Sequence, residues 1–135
     1  MSSVKQYKLA EKRALEQQQV ISDLNALAKD IERCVKTITD LKSELETVNA
    51  KHANRQTTRQ EIAYLEDLLK CAHKKLTWEK HMMSLQKRTP AILERMSKIV
   101  NDPQAPADDP ARVEMLRVLQ NVQAAMERLQ TVKVE

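Results

Sequence analysis

Nine apolar residues, Val20, Leu24, Leu27, Ile31, Cys34, Ile38, Leu41, Leu45 and Val48, recur at alternating gaps of four and three through four heptads without a miss. A helix turns once in about 3.6 residues, so this spacing keeps all of them along one narrow face. A strand would send neighbouring positions to opposite faces and scatter the set. The run therefore dictates a long helix with a continuous apolar seam, Leu24, Ile31, Ile38 and Leu45 at a and the others at d. Ile21, Ala28 and Val35 broaden the seam on its e side as far as Lys36. Upstream, Val4 to Gln19 favours helix but has only Leu9 and Leu15 as strongly apolar residues, which predicts a solvated extension.

The seam stops at HANRQTTRQE, His52 to Glu61, where only Ala53 is apolar. Beyond it, Ile62, Leu65, Leu69, Ala72, Leu76 and Met83 form one stripe, and Tyr64, Leu68, Cys71, Trp78, Met82 and Leu85 form its neighbour. On a helical wheel the two merge into an apolar arc of roughly 200°, far wider than a two-stranded seam and wide enough to touch two neighbours. A second long helix that folds back on the first satisfies this arc. Thr58 to Glu61 fits a capping box for its start. Asn54 is the candidate to close the first helix in a left-handed conformation. The competing arrangement is an unbroken rod, because Ile62, Leu69, Leu76 and Met83 continue the old d register.

Thr89-Pro90 reads as an N-cap and first-turn proline of a short helix running to about Val100. Lys87-Arg88-Thr89-Pro90 also suits proline-directed phosphorylation, but the cap explains the same residues. Residues 101–110, NDPQAPADDP, hold three prolines and three aspartates and predict a loop. Asp109-Pro110 then opens a last helix whose seam is Met115, Leu119, Val122, Met126 and Leu129. The expected fold is all-α. It comprises an N-terminal coiled-coil helix (1–53), a basic amphipathic helix (58–88) that makes a helical hairpin with it, and a C-terminal part (89–135). That last part holds two shorter helices around the loop, and partner chains are expected to complete the bundle.

Composition narrows the function. The chain has no Gly and no Phe, with one Trp and two Tyr. Glycine-rich phosphate cradles and nucleotide fingerprints are thereby excluded. Cys71 and His73, or His73 and His81, do not converge as zinc ligands do, so neither metal nor cofactor is expected and the histidines read as surface residues. In a hairpin turning near residue 55, Cys34 lies opposite residue 77, which displaces Cys71 by about 9 Å and leaves both thiols free. Solvated charge ladders offer no pocket for an activated nucleophile, and no enzyme is expected. No apolar run suffices for a membrane span, and MSSVKQYKLAEKR has no secretory core. A cytoplasmic or nuclear location follows as the expectation, with cytoskeletal association as one form of it.

The net charge of +4 is concentrated: residues 51–88 hold nine basic and four acidic residues. Arg59, Lys70, Lys74, Lys80, Lys87 and Arg88 lie on one arc of the second helix and form a candidate surface for an acidic partner. Nucleic acid is disfavoured, because no aromatic residues interleave with the cations to stack bases.

The leading expectation is a non-catalytic scaffold subunit, of cytoskeletal (spindle, kinetochore or centrosome) or vesicle-tethering type. Its partner-binding seam is Val20, Leu24, Leu27, Ile31, Ile38, Leu41, Leu45 and Val48, together with the five seam residues of the last helix. Other coiled-coil chains would cover it, in a hetero- or homo-oligomer. Ile31→Asp and Leu41→Asp are then expected to abolish partner binding. The alternative is a helical adaptor that docks its basic helix on an acidic surface such as a microtubule, an anionic membrane or nucleic acid.

Overall fold

The computed structural model describes residues 2–103 and 109–132; the middle of the Pro/Asp-rich segment, 104–108, lies outside the described residues. Three helices account for nearly all of them: α1 (Ser2–Lys51), α2 (Thr58–Val100) and α3 (Pro110–Thr131), with no strand among the described residues.

The chain reverses between α1 and α2. His52 N–H still donates to the Val48 carbonyl at 3.1 Å, and Arg55 N–H donates to the His52 carbonyl at 3.3 Å. Thr57 then caps α2: its hydroxyl accepts from Gln60 N–H at 3.2 Å, while the Gln60 side-chain oxygen accepts from Thr57 N–H at 3.1 Å. The capping box therefore starts one residue before the expected Thr58, with Gln60 rather than Glu61 as its return arm; both pairs satisfy the same chemistry. Asn54 is not left-handed, since no described residue has a positive φ. The turn closes instead through side chains. His52, only 9% exposed, lies 2.8 Å from the Asp67 carboxylate, and Arg55 stacks 3.9 Å over the Tyr64 ring while its Nε donates to Glu61 at 2.6 Å. His52 is thus a clamp of the turn, not the surface histidine the sequence suggested.

α2 continues through Thr89-Pro90, so the expected separate helix over 89–100 is the last part of α2, and among the described residues there is one shorter C-terminal helix instead of two. Thr89 is no cap: its hydroxyl donates to the Leu85 carbonyl at 2.7 Å. Pro90 gives no N–H to the turn before it, which costs about 3 kcal/mol in a helix interior. Ile92 and Met96, just beyond, are buried against α1, with Leu93 and Ile99 packed beside them. Full burial contributes about 1.5–3 kcal/mol per large apolar side chain, so packing holds the helix through its proline.

α3 begins at Asp109, whose carboxylate does two jobs. One oxygen accepts from Ala111 N–H at 3.0 Å to cap the helix, and the other accepts from buried Gln17 of α1 at 2.9 Å. Arg128, near the far end of α3, pairs with Glu32 of α1. α3 therefore runs parallel to α1 along its first half, where α2 returns antiparallel. The main core forms there, from Val20, Leu24, Leu27, Ile31 and Cys34 of α1, Leu85, Ile92 and Met96 of α2, and Met115, Val118, Val122 and Ala125 of α3. Towards the turn a smaller cluster continues, with Ile38, Leu41, Val48 and Cys71 at its centre and Leu45, Tyr64, Leu68, Trp78 and Val132 around it.

Candidate functional site

The register of α2 on α1 is written in charge. Asp23 pairs with Arg95, Asp30 with Arg88 at 2.9 Å, and Glu44 with Lys74 at 2.7 Å. Acids and bases descend their helices in steps of seven, and Thr37 and His81 stand where the remaining rung would be. Complementary charges beside an apolar seam fix partner and direction in paired helices, and here they do so within one chain. Arg95 holds the Asp23 carboxyl below its usual range through a hydrogen bond, and Glu44 raises Lys74 in the same way. Between the rungs, the Trp78 indole N–H donates to the Cys34 carbonyl at 3.0 Å, placing an aromatic wedge in the groove.

This arrangement redistributes the residues that the sequence marked for partners. Val20, Leu24, Leu27, Ile31, Ile38, Leu41 and Val48 are buried, and Leu45 is half-buried, all beneath the chain's own α2 and α3. The α1 seam is therefore an internal surface, and Ile31→Asp or Leu41→Asp would test folding before it tested binding. On α3 the buried row is Met115, Val118, Val122 and Ala125, rotated from the expected one. Leu119 and Leu129 lie at the edge of the core and Met126 is exposed. The small Ala125 side chain lets α3 approach α1 closely, which a strict heptad of large residues would not. Within the basic set, Lys74 and Arg88 are engaged by α1, whereas exposed Arg59, Lys80 and Lys87 make no ion pair with any described residue. Lys70 is exposed, with its charge felt by Asp67.

What stays open to solvent is the other face of α2. Its inner stripe packs on α1 through Cys71, Leu85, Tyr64, Leu68, Trp78 and Met82. Its outer stripe, Ile62, Leu65, Leu69, Leu76 and Met83, is 51–58% exposed. These residues and exposed Ala72 follow a second heptad repeat, with Ile62, Leu69, Leu76 and Met83 at a, and Leu65, Ala72 and Glu79 at successive d positions. The bordering e row reads Arg59, Glu66, His73, Lys80 and Lys87. α3 lies along α1 from Gln17 to Glu32, with Val132 reaching the turn-side cluster, and the five outer-stripe residues stay exposed beside it. The wide apolar arc of α2 thus has one half satisfied internally and one half bare.

The signal separating the two halves lay in the sequence unread. The acids at 23, 30 and 44 and the bases at 95, 88 and 74 each keep heptad spacing and oppose one another in an antiparallel pair, so they mark the inner face. The free thiols Cys34 and Cys71 are buried, which pushes both above the ordinary thiol range. Among the described residues no cluster of His, Cys, Asp and Glu could hold a metal ion, and no helix is long and apolar enough to cross a membrane. The clefts between helices are open to solvent, and the one beside the Asp23–Arg95 pair mixes charged Glu16 and Lys98 with apolar Val20 and Ile99.

No family model, no curated protein and no solved structure matches this chain.

Proposed function

We propose that the protein is a non-catalytic assembly subunit that packs a helix face against a partner helix, with the outer stripe of α2 as that face. One observation carries the reading: five large apolar side chains at heptad spacing stand half-exposed on a helix whose other face is already packed. Single exposed apolar residues are ordinary, but a contiguous row of them marks an interaction surface. The α1 seam acts inside the chain, holding α2 and α3 so that the stripe is presented on a folded support. Cytoskeletal and vesicle-tethering complexes are the kinds of assembly the proposal has in view.

Sedimentation in an extract of the source cells tests this. The wild-type chain is expected in a species well above its own 15.6 kDa. Leu69→Asp with Leu76→Asp should return it to its own mass while its helical circular dichroism is kept. A wild-type chain that sediments alone refutes the proposal.

The free cations Arg59, Lys80 and Lys87 support a second reading, an adaptor that lays α2 on an extended acidic surface. Salt separates the two. Surface charge attraction collapses between low and moderate ionic strength, whereas seam packing persists.

A further inference from the structure

The outer stripe also specifies what covers it. We infer that its occupant is an amphipathic helix of a different polypeptide, with an apolar seam bordered by an acidic row. This inference rests on the reading above and adds the chemistry of the partner.

The first argument is the rim. In paired helices the residues flanking the seam choose the partner. On one flank of this stripe stand Arg59, His73, Lys80 and Lys87, with Glu66 the one acid among them. Arg59, Lys80 and Lys87 have no counter-charge among the described residues, in contrast to Lys74 and Arg88 on the inner side. A facing row of Asp or Glu would give them one. Glu79 interrupts the d positions of the stripe, so a Lys or Arg opposite it completes the match.

A second copy of this chain does not match the stripe. In a parallel self-pair, Glu61 meets Glu66 and Lys75 meets Lys80 of the other copy, like against like at both places. In an antiparallel self-pair centred on His73, Arg59 meets Lys87 and His73 meets its twin, Glu66–Lys80 is the one matched pairing in that row, and Glu79 is pressed on the apolar residues of the other copy. Like charges set opposite one another reject a partner, and here they reject self-association.

The third argument is shape. From Ile62 to Met83 the stripe extends about 32 Å at the helical rise along one continuous helix. A straight helix of three to four heptads fills such a surface, as the i, i+3, i+4 and i+7 anchors of helix-on-helix recognition require.

Two synthetic four-heptad peptides test the inference, each with Leu and Ile on its seam. One carries Glu at every flanking position, the other Lys. Binding to the full chain is read by fluorescence anisotropy. The acidic peptide should bind at least tenfold more tightly than the basic one. Leu69→Gln with Leu76→Gln should weaken it at least tenfold, and Lys80→Glu with Lys87→Glu should reverse the preference. Equal binding of the two peptides, no binding of the acidic one, or indifference to the stripe variant overturns the inference. So does concentration-dependent dimerisation in the ultracentrifuge that the stripe variant abolishes. Anionic vesicles that bind the chain through Leu69 and Leu76 more tightly than the acidic peptide does would overturn it as well, in favour of a lipid surface. If the peptides fail while Leu69→Asp with Leu76→Asp still releases the chain from its cellular assembly, only the partner's chemistry is wrong. If the chain sediments alone, the assembly reading is wrong too.

Discussion

Replacing Leu24 and Leu69 separately by Ala asks the structure its sharpest question. Both are leucines at a positions of a heptad repeat on a long helix, and sequence pattern alone treats them alike. Leu24 has 0% of its surface exposed, where all three helices meet, and Leu69 has 58%. Truncating Leu24 removes about three methylene equivalents, worth about 0.8 kcal/mol each when buried. A cavity penalty adds to this, and measured buried Leu→Ala changes run from about 2.7 to 5 kcal/mol. We take about 3.5 kcal/mol, less a few tenths for the better helix propensity of Ala. For a chain of this length that is a fall of roughly 10–15 °C in Tm, since each kcal/mol shifts a domain of this size by about 3–5 °C. Leu69→Ala leaves no cavity and should stay within about 0.5 kcal/mol of wild type. Urea unfolding followed at 222 nm measures both. Equal costs for the two, or a cost below about 1 kcal/mol for Leu24, would mean that the α1 seam is not enclosed by α2 and α3.

Three further outcomes follow from particular contacts. Pro90→Ala restores an N–H to the middle of α2 and should raise stability by up to about 3 kcal/mol, read as a higher urea midpoint at unchanged slope. Cys34 and Cys71, buried and shifted toward the thiol form, should resist a maleimide in native buffer and both label in denaturant; fast native labelling of either would contradict their burial. Asp67 sits below the ordinary carboxylate range, chiefly through its hydrogen bond from His52. A carboxyl depressed in the fold contributes stability that is fully present above its unfolded pKa and lost as pH falls through the folded value. Asp67→Asn should therefore flatten part of the acid limb of the stability curve and leave its alkaline side unchanged.

Some of the fold could be read from the chain because its signals were local or periodic. The α1 seam, the Asp109-Pro110 start of α3 and the polar interruption after Lys51 each rest on residues whose chemistry acts within a turn or two. The failures share a different cause. Thr89-Pro90 looks like a helix start until Ile92 and Met96 are seen packed on residues some seventy positions earlier. His52 reads as a solvated turn residue until Asp67 and Tyr64 close over it. Val118 and Ala125 are fully buried where the seam pattern favours larger neighbours, because a wheel measures hydrophobicity and not how closely two helices can approach. In each case a long-range contact overrode a correct local preference. The same holds for the candidate site: the longest heptad seam, expected to face a partner, is covered by α2 and α3 of the same chain.

Burial of the α1 seam within its own chain carries a general point about amphipathic chains. A heptad seam announces that something helical will cover it, but not whether the cover is in cis or in trans. The neighbouring charges decide. The α1 seam is bordered by Asp23, Asp30 and Glu44, and the chain itself supplies Arg95, Arg88 and Lys74 at the matching antiparallel places. The outer α2 stripe is bordered by Arg59, Lys80 and Lys87, and no described segment supplies their match. Exposed ion pairs contribute only about 0–1 kcal/mol each, so the ladder adds little to stability. Its effect is selective: reversing the charge of one member of a rung puts two like charges side by side in the native register. Asp30→Arg should thus cost less than about 1 kcal/mol, and Arg88→Asp in the same chain should recover most of it. A coupling indistinguishable from zero, measured by the double-mutant cycle in urea, would mean that these charges do not choose which face of α2 packs on α1.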